Sequence, residues 1–109
     1  MNYKVVTIDS FKRKAKRLIK KYTSLRSEIE VLGKELMENP QMGTPIGNGF
    51  YKIRLSIASK GKGKRGGARL ITYVKIINET VYLVSIYDKS EQSAILDEEL
   101  KELFGEIPS

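Results

Sequence analysis

The sequence predicts an α+β domain in which an N-terminal strand and a helical hairpin pack on an antiparallel β-meander with a C-terminal helix. Three observations predict it. Apolar residues recur at helical spacing in two adjacent stretches between residues 11 and 36. From residue 50 they alternate at strand spacing through three segments joined by polar or glycine-rich connections. Helical spacing returns at residues 96–104. The order β-α-α-β-β-β-α occupies residues 1–109, a single domain's worth of chain, with no internal repeat or dividing linker. A domain of this size can bury one core without disulfides or metals.

Residues 3–8, rich in β-branched side chains, read as the first strand. Asp9 or Ser10 can cap the helix that follows, accepting a bond from a free backbone N–H. Phe11, Ala15, Leu18, Ile19 and Tyr22 then mark one apolar face, with lysines and arginines around it. Thr23 and Ser24 break the pattern and can cap a second helix. Its stripe is Leu25, Ile29, Leu32 and Leu36. That helix ends near Asn39-Pro40, since a residue preceding proline avoids the helical region. Residues 39–49 are dense in breakers and read as a loop.

In residues 50–58, Tyr51, Ile53, Leu55 and Ile57 point one way and Lys52, Arg54 and Ser56 the other. Residues 59–67 form a basic, glycine-rich loop. Residues 68–77 and 81–87 are two further strands, turning at Asn78-Glu79. Leu96, Leu100, Leu103 and Phe104 define the last helix. Acids open it and Gly105 follows it, as the helix dipole and a C-terminal cap favour.

The charge is unevenly spread. The net formal charge is +7, but residues 1–26 carry +8, residues 27–50 carry −3, residues 51–75 carry +8 and residues 76–109 carry −6. Two basic blocks in so small a domain point to a polyanionic partner, nucleic acid first. There is no cysteine and no histidine. This excludes disulfides and thiolate chemistry, and it removes the commonest general base and metal ligand. No metal site or cofactor is therefore expected. The N-terminus has no apolar run of signal-peptide length, and no segment reaches the roughly 20 apolar residues of a membrane span. The expected location is the cytoplasm, away from membranes.

Gly61-Lys-Gly63-Lys-Arg-Gly66 matches the GxGxxG spacing of dinucleotide-binding folds. That motif requires a following helix whose N-terminus holds the pyrophosphate. Here a strand follows, so the segment is a hairpin loop. Its residues Lys60, Lys62, Lys64 and Arg65 stand among glycines that let backbone approach a ligand closely, so it reads either as a solvated turn or as a phosphate clamp. Strand alternation places Lys52, Arg54, Arg69 and Tyr73 on one face of the sheet. A wet sheet face carries charges in any case. This one combines basic and aromatic groups without an acid, which suits a phosphodiester and a stacked base.

Phe50-Tyr-Lys-Ile-Arg54, the basic loop, Gly67-Ala-Arg69-Leu-Ile-Thr-Tyr73 and Tyr82-Leu-Val-Ser-Ile-Tyr87-Asp-Lys89 together resemble the RelE/ParE toxin superfamily. The basic stretch from Phe11 and the Asn39-Pro40 loop fit it too, so nearly the whole chain is covered. The likeness is strongest to the RelE and HigB branch. It implies a type II toxin–antitoxin toxin, an endoribonuclease that cuts messenger RNA in the ribosomal A site without a metal. The RNA 2′-hydroxyl attacks the adjacent phosphate. By the same resemblance Lys52 and Arg54 hold the places of two basic strand residues, one a general base. Arginine, with a pKa above about 12, is a poor base, which favours Lys52. Arg69 takes the place of an arginine that stabilises phosphate charge. Lys89 lies near a late basic residue that protonates the leaving 5′-oxygen. The family's late tyrosine aligns with Ile95, leaving Tyr73 or Tyr87 to stack on RNA. The loop lysines are alternative sources of the base. A cognate acidic antitoxin, the ribosome and mRNA are the implied partners. The same fold also serves ParE-like poisons of DNA gyrase, and a non-catalytic nucleic-acid-binding module is the third reading.

Overall fold

Helices and strands follow in the expected order, with one strand more than expected. The computed structural model describes residues 2–61, 63 and 66–108. It consists of β1 (Lys4–Thr7), α1 (Asp9–Lys21), α2 (Leu25–Glu38), β2 (Thr44–Gly47), β3 (Phe50–Leu55), a short 3-10 turn (Ala58–Lys60), β4 (Ala68–Lys75), β5 (Thr80–Asp88) and α3 (Asp97–Phe104).

The strands form one sheet in the order β1-β5-β4-β3-β2. β2 to β5 are an antiparallel meander, as expected. β1 pairs with β5 in parallel, from Lys4 opposite Thr80 to Thr7 opposite Leu83, so the sheet is mixed rather than antiparallel throughout. Strand composition carries no direction. That is fixed by where the chain enters the sheet, and here β1 enters beside the last strand.

The added strand lies within the breaker-rich loop. Thr44 pairs with Lys52 and Pro45 with Tyr51, and a bulge then brings Gly47 opposite Phe50. Proline is tolerated because β2 is an edge, where its missing N–H breaks no ladder. The turn to β3 takes Gly47, Asn48 and Gly49 through positive φ, a region that glycine and asparagine enter at least cost.

Side chains alternate across the sheet and divide the helices between its faces. Ile53, Leu70 and Ile86 lie on one rung of β3, β4 and β5. They share a buried core with Leu18 and Tyr22 of the first helical stretch and Leu25, Leu32 and Leu36 of α2. On the opposite face, Phe50 and Tyr73 form a rung with Tyr82. The Phe104 ring of α3 sits edge-on to Tyr73 at 5.4 Å and to Phe50 at 6.5 Å. The face read as wet and free of acids is thus covered at its aromatic end.

The caps differ from expectation. Ile8 occupies the N-cap of α1, and neither Asp9 nor Ser10 caps it. Ser10 instead donates both its backbone N–H and its hydroxyl to Glu106 beyond α3. Those bonds hold the Glu106 carboxyl below its ordinary pKa. Ser24 is the N-cap of α2, yet its hydroxyl bonds Glu28 and Ser59 rather than a backbone amide of the first turn. Gly105 ends α3 in a right-handed conformation, with φ −63°.

Candidate active site

Register determines which predicted residues meet. Arg54 on β3 lies opposite Arg69 on β4, which lies opposite Tyr87 on β5. Opposed residues in an antiparallel pair share a face, with Cβ atoms about 5 Å apart. Lys52 is one same-face step along β3, opposite Ile71. Lys89 follows β5 by the corresponding step in the other direction, its backbone N–H bonded to the Gly67 carbonyl. The structure therefore gathers Lys52, Arg54, Arg69 and Tyr87 at one end of the sheet face, with Lys89 in the turn just beyond them and Phe50, Tyr73 and Tyr82 at the other end.

The hairpin that opposes the two arginines depends on Gly67. A Cβ there would collide with the Leu55 carbonyl oxygen. Only a residue without a side chain lets β4 begin so close to the end of β3.

The members of the patch differ in setting. Arg54 is exposed and Lys52 half-buried, and neither forms an ion pair among the described residues. Arg69 is only 5% exposed and donates to the Ala68 carbonyl at 3.2 Å. Lys89 is half-buried, and its ammonium donates to the Ser93 carbonyl at 3.2 Å. Tyr87 is buried, and its hydroxyl has no hydrogen-bond partner among the described residues. Burial pushes its pKa up against the nearby Arg69 charge, so the phenol stays neutral at physiological pH.

Tyr73 packs in the aromatic group, 5.1 Å from Phe50, and is half-buried under α3. Lys60 turns inward. Its ammonium meets Asp88 Oδ1 at 2.5 Å, and the two side chains are 9% and 0% exposed. The other loop cations, Lys62, Lys64 and Arg65, lie outside the described residues. Ile95, where the family tyrosine was expected, is half-buried against the core.

Asp88 is the residue that sequence reasoning missed. Its Oδ1 accepts from Lys60, from the Ser90 amide at 2.9 Å and from the Ser90 hydroxyl at 2.7 Å, while Oδ2 accepts from the Tyr22 hydroxyl at 2.6 Å. Burial works to raise its pKa, but the bonds from Lys60, Tyr22 and Ser90 outweigh it and hold the carboxyl well below the usual range. A strand-terminal aspartate beside a lysine is unremarkable in sequence, and Tyr22 read only as part of an apolar stripe. The described residues contain no His/Cys/Asp/Glu group able to hold a metal ion. No described helix is long and apolar enough to cross a membrane.

The fold, a helical hairpin and a C-terminal helix on a five-stranded sheet, is that of a RelE-type toxin. It is similar to the E. coli toxin RelE, solved in the free state as a variant with two arginine-to-alanine substitutions. The TM-score is 0.58 at 20% identity, covering 97% of this chain and 94% of that one. The family model for the RelE toxin of the RelE/RelB toxin–antitoxin system matches residues 3–106, and the chain belongs to that family. It is a toxin of a toxin–antitoxin system, and such a system supplies an antitoxin as partner.

Proposed function

We propose that this toxin is a ribosome-dependent endoribonuclease that cleaves messenger RNA in the A site. The observation that carries this reading is the Arg54–Arg69 pairing, with Lys52 on the same face and Lys89 in the turn just beyond Tyr87, its amide bonded to Gly67. The cations Arg54, Arg69 and Lys89, beside Lys52 as the base, match the charge that gathers on a phosphodiester during transfer. Preorganised cations of this kind are among the strongest contributors to catalysis. The patch has the side chains to run the reaction without a metal.

In this reading Lys52, acting as the neutral amine, takes the proton of the 2′-hydroxyl and becomes an ammonium as that oxygen attacks the adjacent phosphorus. Arg69 stabilises the charge on the non-bridging oxygens, and its burial excludes water that would screen it. Arg54 holds the backbone from the exposed edge. Lys89 protonates the departing 5′-oxygen. The products are a 2′,3′-cyclic phosphate and a free 5′-hydroxyl. Tyr87 supports the Arg69 side of the pocket, and Tyr73 closes its aromatic end. Lys62, Lys64 and Arg65 supply further phosphate contacts. The HigB-like loop, the acidic character of the antitoxin and action in the cytoplasm belong to the same reading.

The test adds purified toxin to a defined messenger, with and without translating ribosomes, and maps the new 5′ ends. Cuts confined to A-site codons on ribosomes are expected. Intact messenger in both reactions overturns the reading and directs attention to inhibition of gyrase.

A further inference from the structure

The segment that carries Lys89 is held from behind by acids bonded to α1. Asp88 joins three parts of the chain: Tyr22 at the end of α1, Lys60 at the root of the basic loop, and Ser90 in the turn after β5. Its own carbonyl accepts from the Glu91 and Gln92 amides, both at 3.0 Å, closing the turn on the far side of Lys89. Three residues on, Glu91 accepts from Arg17 at 3.0 Å and from Lys21 at 3.2 Å. Glu99, in the first turn of α3, meets Lys14 at 3.1 Å. Glu91 and Glu99 of the acidic C-terminal block thus bind α1 and Asp88 binds Tyr22 at its C-cap, with Lys89 between Asp88 and Glu91 in the chain.

Asp88, the last residue of β5, points to the face opposite Tyr87 and Arg69, and Lys89 opens the turn that follows it. The aspartate cannot touch RNA on the cationic face. It can fix the backbone from which Lys89 projects. A buried ion pair is a costly way to gain stability alone, because both partners lose water. Here the pair also ties the lysine-bearing turn to the loop root.

We propose that Asp88, assisted by Glu91, is a positioning residue that aligns Lys89 for proton delivery to the leaving oxygen. The inference rests on the nuclease reading above. It assigns a role to a residue on the opposite face from the chemistry, and it accounts for the insertion of Lys60 into the interior.

The test compares wild type with Asp88→Asn and Glu91→Gln in single-turnover cleavage on programmed ribosomes. Ribosome affinity and hydrogen exchange of the 89–92 amides are measured in parallel. Asp88→Asn is expected to lower the saturating rate at least tenfold with affinity unchanged, and to speed exchange at Ser90, Glu91 and Gln92. A merely structural aspartate would instead lower rate and bound fraction together, in proportion to the protein left folded, and that result overturns the proposal. So does cleavage at the wild-type rate. If Asp88→Asn does not fold, Glu91→Gln decides: an approximately threefold slower rate at unchanged affinity supports the proposal, and an unchanged rate overturns it. Wild-type toxin that cuts nothing is a different result. It removes the nuclease reading, and with it this role for Asp88.

Discussion

The chain has two basic regions of equal formal charge, and the fold treats them differently. On α1, Lys14, Arg17 and Lys21 are matched by Glu99 and Glu91 from the acidic C-terminal block and Lys12 by Asp9 of its own helix, leaving Arg13, Lys16 and Lys20 without an ion pair among the described residues. On the sheet, Lys52 and Arg54 meet no acid among the described residues, and Lys60 is drawn inward to Asp88. Charge counted along the sequence therefore overstates what each region offers a polyanion. One side of α1 is spent on holding the toxin together, whereas Lys52 and Arg54 of β3 meet no acid partner among the described residues.

The comparison breaks if the sheet patch is not where RNA phosphates are handled. The largest expected effect is at Arg69. Arg69→Ala should lower the single-turnover cleavage rate by about 10²–10³, the usual loss when one preorganised charge-stabilising donor is removed. Circular dichroism and antitoxin binding would confirm that the variant folds. A rate within a few-fold of wild type would move the chemistry elsewhere.

Next in size is the inward-turned cation. Lys60→Met leaves a fully buried carboxylate without its ammonium partner and should cost about 3 kcal/mol in urea denaturation. Unchanged stability would mean that Lys60 is free to serve RNA, returning it to the basic loop.

Acid titration sharpens the same point. The Asp88, Glu91 and Glu106 carboxyls all lie below their ordinary values in the folded chain. Each therefore stabilises the fold fully above the unfolded pKa of about 4 and loses that contribution as pH falls through the lower folded value. Stability should decline from about pH 4 downward, and more gently in a Lys60→Met/Asp88→Asn double variant. Identical acid limbs would show that Asp88 is not the group being titrated.

The smallest effect is expected on α1. Lys16→Gln and Lys20→Gln together should weaken ribosome binding modestly and flatten its salt dependence, because fewer counterions are released. The saturating cleavage rate should stay within twofold. A large loss of that rate would place α1 in the chemistry rather than beside it.

Much of this was legible before any coordinates. The stripe from Phe11 to Tyr22 and that from Leu25 to Leu36 became α1 and α2, since helical periodicity in apolar residues is a local property that burial then rewards. Alternation from residue 50 put Lys52 and Arg54 on one face, because strand side chains alternate whatever the partner. The resemblance carried by the strand segments led to the family that the comparisons found. The failures were non-local. β2 was hidden because Pro45 and its flanking glycines signal a loop until an edge position excuses them. Ser10 read as a cap because nothing nearby announces Glu106, 96 residues away.

Sequence alone determined the helices and four of the five strands, the two basic blocks and the absence of histidine and thiol chemistry, since each depends on residue identity or short-range spacing. Tertiary structure decided the parallel pairing of β1, the opposition of Arg54 to Arg69 and the withdrawal of Lys60 to Asp88. Those depend on register and on contacts between residues far apart in the chain. A cation beside a carboxylate and a cation facing solvent are written with the same letter, and only the fold tells them apart.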